Sequence, residues 1–329
     1  MILSKTNFMR KLLLLLLVSG ILLVAGCADG DVRLATDPFV GGNVGVDMAF
    51  ISNAPPSIIF DGGDYPFAVS VRLENKGEFD IREGRGFLQI QGISSSEFSV
   101  SESQLRIPFP ELQGVRKATD ATVRRGDVQV ATFPELNYKE FLGGDLPINN
   151  FRVRACYEYE TRSSTQICIK QGNIDGLRPN EICKIDERKR TANSGAPIKI
   201  QNLEQNPKGR TGIQISFEIA HVGPVSNTWF PRDDDQCDPR VGNPNLYKLR
   251  VEVEPIVGGR YVAQCTGPGF NGGNIGEVTL HDGQPTRVIC SFEIGEQTSD
   301  FETRLNINLG YRYSEFIEKP ILIRNTLRK

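Results

Sequence analysis

The sequence predicts an all-β protein, two tandem β-sandwich domains following an N-terminal signal peptide. Three observations predict it. After residue 45 apolar and polar residues alternate in short segments. Those segments are punctuated by Gly, Pro and Asn, with 33 glycines and 19 prolines among 329 residues. The two halves of the chain are also similar to one another. Period-2 alternation bounded by turn-forming residues is the signature of strands with one buried face.

The N-terminal segment carries Arg10 and Lys11, then an apolar run from Leu12 to Val24, then Ala25, Gly26 and Cys27. A charged start, an apolar middle and small residues at the end form the layout of a secretory signal peptide. About 13 apolar residues at 1.5 Å each span roughly 20 Å as a helix, short of the roughly 30 Å needed to cross a bilayer. The five residues Leu23-Val24-Ala25-Gly26-Cys27 resemble the lipobox of prokaryotic lipoproteins. That resemblance implies cleavage before Cys27 and a diacylglyceryl group on its thiol; simple cleavage without lipid is the competing reading. Two acyl chains, at about 0.8 kcal/mol per buried CH₂, hold a domain on a membrane without a spanning helix. The expected address is the outer face of the cytoplasmic membrane or the cell surface, with residues 1–26 as signal peptide and 27–45 as tether.

The remaining length suits two domains, 46–183 and 197–326, joined by a linker at 184–196. A formal net charge of −2 with 24 % charged residues argues against a nucleic-acid partner, which demands a basic face. Arg188-Lys189-Arg190 reads as part of the solvated linker.

Strands are expected where alternation is clean. Phe67, Val69, Val71 and Leu73 share one face of the first half, and Ile213, Ile215, Phe217 and Ile219 one face of the second. Further strands fall at 86–92, 128–133, 246–255, 275–281 and 286–294, with one or two helical turns at 138–142. Arg154-Ala155-Cys156-Tyr157-Glu158-Tyr159 superposes on Asn308-Leu309-Gly310-Tyr311-Arg312-Tyr313, and Ile167-Cys168-Ile169 on Ile321-Leu322-Ile323 without a gap. Each half is therefore expected to end in a long hairpin. Asn75-Lys76-Gly77 likewise matches His221-Val222-Gly223, with each glycine expected in a turn of positive φ.

A strand, Asn-Lys-Gly, a short gap and another strand resemble immunoglobulin-like surface modules, in particular the CARDB-like adhesion-related domains of exported prokaryotic proteins. The layout as a whole is similar to archaeal-type cell-surface lipoproteins. The resemblance implies two immunoglobulin-like sandwiches and a surface role; it implies no binding residues.

Beyond Cys27 there are six cysteines, and an even number in an exported chain reads as disulfides. No CxxC pair exists and only His221 and His281 are available, which argues against structural zinc. Parity places Cys156 and Cys168 outward on the two strands of the first hairpin, so Cys156–Cys168 is the preferred bond. Cys265 and Cys290 both fall on inward faces and are expected to pair. Elimination leaves Cys183–Cys237 as a staple between domains, with Cys168–Cys183 as the alternative.

Chemistry is sparse. Asp233, Asp235 and Asp238 offer hard oxygen ligands for calcium, against the reading of a solvated acidic loop; the sixth and twelfth positions of an EF-hand are wrong. Trp229 and Phe230 form a candidate binding loop, against packing across the end of the sandwich. Arg125-Gly126-Asp127 reads as a turn, and Thr266–Gly273 lacks the lysine of a phosphate loop. No GxSxG, HExxH or Cys–His nucleophile pattern occurs, so no catalytic residue and no cofactor is expected. The expected function is a lipid-anchored, non-catalytic adhesive or scaffolding module bound to a membrane and to an envelope or surface protein. A solute- or glycan-binding component is the alternative, and a carboxylate hydrolase a third reading.

Overall fold

A computed structural model describes residues 37–118, 122–173 and 181–326. From Pro38 onward the chain forms one compact unit. Cys27 and the apolar run before it lie outside the described residues. Strands are numbered along the chain. The first half carries β1 (Val46–Phe50), β2 (Ile58–Phe60), β3 (Ser70–Asn75), β4 (Gly86–Gln91), β5 (Arg106–Pro108), β6 (Arg116–Lys117), β7 (Val123–Arg124), β8 (Val128–Thr132) and β9 (Leu146–Ile169). The second carries β10 (Glu187–Arg188), β11 (Thr191–Asn193), β12 (Ile198–Lys208), β13 (Gly212–His221), β14 (Thr228–Phe230), β15 (Lys248–Val253), β16 (Gln264–Thr266), β17 (Ile275–Thr279), β18 (Thr286–Glu293) and β19 (Phe301–Arg324). Apart from three short 3₁₀ turns, the regular structure of the described residues is all strand. The expected all-β class is what the chain adopts, and residues 138–142 hold no helical turn.

Three sheets make the body. A central sheet runs β17-β15-β19-β9-β4-β5, and short β2, β11 and β14 join its long strands. One outer sheet is β1-β3-β8; the other is β10-β12-β13-β18-β16. The alternation explains the layering. Val71 and Leu73 of β3 and Ile213, Ile215, Phe217 and Ile219 of β13 are fully buried, as are Val153, Tyr157 and Tyr159 of β9. Most buried apolar residues of both halves belong to one contiguous core.

The expected hairpins at the end of each half are instead single strands of 24 residues. β9 and β19 pair antiparallel from Leu146↔Ile323 to Ile169↔Phe301. Residues 160–166, polar and turn-like in sequence, stay extended because their inward hydroxyls find partners. Thr161 donates to Ile198 O (2.6 Å), Ser163 to Asn193 Oδ1 (2.5 Å) and Thr165 to Arg190 O (2.8 Å). The segment 184–196 is likewise not a free linker. Within it, β10 pairs with β12 and β11 with β9.

The internal repeat becomes a local two-fold relation. Tyr157 pairs with Tyr313, Tyr159 with Tyr311, and Glu158 with Arg312, its own counterpart in the repeat. The strand order of the central sheet reads the same outward from this pair. On the inner face the four tyrosine rings pack together, Tyr157 to Tyr313 and Tyr159 to Tyr311 both at 6.2 Å between centroids. Gly77 and Gly223 are repeat-related here too, though neither has positive φ. The need is close approach. A Cβ on Gly77 would overlap Tyr159 Oη and Gly195 O, and one on Gly223 would lie 2.5 Å from Tyr313 Oη. We expect Gly77→Ala to cost about 3 kcal/mol through overpacking, read as a lowered urea midpoint with unchanged slope. A loss below about 0.5 kcal/mol, the level of an ordinary surface change, would contradict this packing.

Candidate functional site

Two features occupy the outer face of the central sheet, an inserted strap and a charged cleft beside it. β14 and β15 lie end to end along β19, with Phe230 opposite Arg312 and Arg250 opposite Gly310. Residues 231–247 are thus an insertion in what the repeat relation makes one strand. Asp234 shapes the insertion by accepting the amides of Gln236 and Cys237 at 2.9 Å. Asn245 donates to its other oxygen at 2.9 Å.

The strap is fastened to the first half by a disulfide between Cys237 and Cys156, Cα–Cα 6.4 Å. Cys168 pairs with Cys183 and Cys265 with Cys290. Of the expected bonds, Cys265–Cys290 is present. The preferred Cys156–Cys168 and Cys183–Cys237 are corrected to Cys156–Cys237 and to Cys168–Cys183, the latter the alternative pairing. The reason is the continuity of β9: about twelve residues of extended chain set Cys156 and Cys168 roughly 40 Å apart.

Beneath the strap Phe87, Cys156, Phe230 and Cys237 form a small apolar cluster. Arginines surround it. Arg312 is paired with Asp235 at 2.7 Å and donates through Nε to Arg232 O at 2.8 Å. Arg106 stacks over the Phe87 ring at 3.6 Å and donates to Asp235 O at 2.9 Å. Arg154, 7 % exposed, donates through Nε to Ser314 Oγ at 2.7 Å. Burial pushes its guanidinium down to about 10, against the nearby charges of Asp238 and Asp234.

The calcium candidates Asp233, Asp235 and Asp238 line one open depression of the strap without forming a ligand set. Asp235 faces Arg312, Asp238 is held by Arg240 Nε at 2.7 Å, and no metal-holding cluster of three His, Cys, Asp or Glu side chains exists among the described residues. The candidate binding loop is also corrected. Trp229 and Phe230 sit in β14 with no exposed surface, because pairing with β19 turns both toward packed interiors. Trp229 lies between His221 (4.6 Å) and Tyr247 (4.9 Å). Arg125-Gly126-Asp127 runs along the outer sheet, where Asp127 accepts the Gln113 amide at 3.1 Å.

The cleft was not legible in sequence. Its volume is about 380 Å³, and its walls come from both halves: Glu78, Phe79, Asp80, Arg82, Arg85 and Arg116, with Arg116 paired to Asp80, then Glu158, Glu160 and Arg162 on β9, and Arg232 at the start of the strap. Arg232 bridges Glu158 (3.0 Å) and Glu160 (3.0 Å) with its guanidinium 5.8 Å from the centre of the Phe79 ring. Arg162 also pairs with Glu160 at 2.9 Å. Glu78 accepts amides from Val40, Gly41 and Gly195 at 2.7–3.0 Å and so pins the N-terminal segment to the cleft wall. The clustering of Glu158, Glu160 and Arg162 follows from period 2 on one strand; the arrival of Arg232 depends on the strap.

No protein-family profile matches the chain, and no curated protein matches it. Among solved structures, the secreted serine protease VesC from Vibrio cholerae is 11 % identical over 81 % of this chain and 50 % of that one, with a TM-score of 0.18. The chain thus spans half the length of that protein, and at this TM-score the likeness carries no argument about fold or activity.

Proposed function

We propose that this is an exported protein, anchored to the outer face of a membrane through a lipid on Cys27, whose β-sandwich body is a non-catalytic adhesive or scaffolding module for an envelope or surface partner. The observation that carries this reading is the cysteine pattern. Six of the seven cysteines are joined in three disulfides, which suit an oxidising compartment. Cys27 alone is left over, at the end of the apolar run. No helix among the described residues is long and apolar enough to cross a membrane. Cys27→Ala is expected to move the protein from the membrane fraction to the soluble fraction on cell fractionation. Full retention of that variant would overturn the anchor. Cross-linking on intact cells followed by mass spectrometry tests the scaffold role, which predicts recovery of an envelope protein.

The cleft favours a second reading, a solute- or glycan-binding component. An aromatic ring beside arginines and carboxylates that are largely paired with one another, at the junction of the halves, offers stacking and hydrogen bonds suited to the hydroxyls of a sugar. Recovery of such a ligand in place of an envelope protein would favour it.

A further inference from the structure

The repeat gives each half an outer sheet in which β1 corresponds to β12, β3 to β13 and β8 to β18. The correspondence fails at one edge. In the second half β18 is covered by β16, register Cys265↔Cys290, and the two are locked by a disulfide. In the first half the far side of β8 carries no strand among the described residues. The hydrogen-bonding pattern leaves that side open. Phe133 donates to Val69 O and Asn75 to Asp127 O. Alternation then turns the amides and carbonyls of Val128, Val130 and Thr132 away from β3.

Other edges are guarded, and β1, at the opposite side of the same sheet, carries Asp47, paired with Lys76 at 2.7 Å, and gives its Val46 amide to Tyr157 Oη at 3.2 Å. β5 ends in Pro108, β10 is two charged residues long, Cys265 of β16 donates to Gly273 O, and Glu277 of β17 donates to Gly269 O. β8 has no proline and no charged residue, and it exposes Val128 at 48 % and Val130 at 56 %. Such an edge is a template for another strand.

We propose that β8 is a self-association edge, where a second copy of this chain supplies antiparallel the strand that β16 supplies within the second half. The register argues for a second copy. Centred on Val130, a two-fold pairing sets Val130 against Val130 and Val128 against Thr132, so every open amide and carbonyl of the strand finds a partner. It also brings exposed Arg125 of each copy toward exposed Glu135 of the other. Shifting the centre by one residue loses bonds at both ends and separates these charges. The two outer sheets then merge into one, β1-β3-β8 continuing into β8-β3-β1. The proposal extends the scaffold reading and gives it a mode of assembly.

The full-length chain in detergent is expected to show a dimer mass by light scattering. Val130→Pro removes an amide unused within the chain and is expected to weaken the dimer at least about tenfold. Val130→Lys, which changes only an exposed side chain, is expected to do the same if the proline variant fails to fold. Arg125→Glu or Glu135→Arg alone is expected to weaken association, and the two together to restore it. On intact cells Val130→Cys is expected to give a disulfide-linked dimer on non-reducing gels, and Val225→Cys at a 98 % exposed turn is not. A monomeric wild type, or a dimer indifferent to Val130→Pro and Val130→Lys, overturns the proposal. A monomer whose Val128, Val130 and Thr132 amides resist hydrogen exchange also overturns it, because a segment of the chain itself then covers the edge. A monomer that still cross-links to an envelope protein overturns self-pairing and leaves the scaffold reading in place.

Discussion

Removing the Cys156–Cys237 bond, as Cys156→Ala with Cys237→Ala, is expected to lower stability by about 4 kcal/mol. The two residues are 81 apart in sequence, and the entropy recovered by the unfolded chain grows with the loop that a disulfide closes. The Cys168–Cys183 bond closes 15 residues and is expected to contribute about 3 kcal/mol. Denaturation by urea under non-reducing conditions checks the ranking, which fails if the shorter loop proves the costlier to open. The ladders under the strap do not depend on this bond. The β9–β19 pairing should therefore persist in the double variant, while residues 231–247 become cleavable by protease.

The second large effect concerns pH. Two titrating side chains hold tyrosine hydroxyls beside the local two-fold. Tyr157 donates to Glu315 at 2.6 Å, and His221 Nε2 bonds Tyr313 Oη at 2.8 Å. Burial pushes the Glu315 carboxyl up to about 7 from 4.5, and Asp47 adds to the rise while the Tyr157 hydrogen bond opposes it. Burial pushes the His221 imidazole down to about 4 from 6.5. Between pH 4.5 and 7 the unfolded chain ionises Glu315 while the folded chain keeps it neutral, so its contribution falls as pH rises. Between pH 6.5 and 4 the unfolded chain protonates His221 while the folded chain does not, so its contribution falls as pH falls. The two trends oppose each other over nearly the same window. Glu315→Gln is expected to lose on the order of 2 kcal/mol more than wild type on going from pH 7 to 4.5, and His221→Gln to gain a similar amount. Asp61, held below the usual carboxylate range first by the Thr326 hydroxyl and then by the Leu142 amide, acts at lower pH. Parallel pH profiles for wild type and both variants would remove this account.

The all-β class and the repeat were legible because both depend on residue period. Tyr-x-Tyr in each half marks the two-fold, and the glycines of Asn75-Lys76-Gly77 and His221-Val222-Gly223 mark where those tyrosines need room. Strand length was not legible. Thr161, Ser163 and Thr165 are polar, and polarity near the middle of a long alternating segment reads as a turn. Their partners, Ile198 O, Asn193 Oδ1 and Arg190 O, come from residues 25 to 37 positions away. Two disulfide assignments fell with that one inference, since parity on a hairpin and parity on a continuous strand give the same faces and different neighbours. Trp229 failed for a related reason. Its strand of three residues is too short to show a period.

The long central pair also sets an order of events in time. Leu146 of β9 has its partner at Ile323 of β19, near the end of the sequence. A chain that emerges N-terminus first can assemble β1, β3 and β8, whose partners are close at hand, yet β9 must wait with one flank of its backbone unpaired until β19 follows. Pairings this distant in sequence form slowly, and unpaired strand flanks invite wrong partners. Completion of the first half is thus tied to delivery of β19. A chain stopped short of β19 is expected to be left as a sticky intermediate, a substrate for chaperones or proteases rather than a working half.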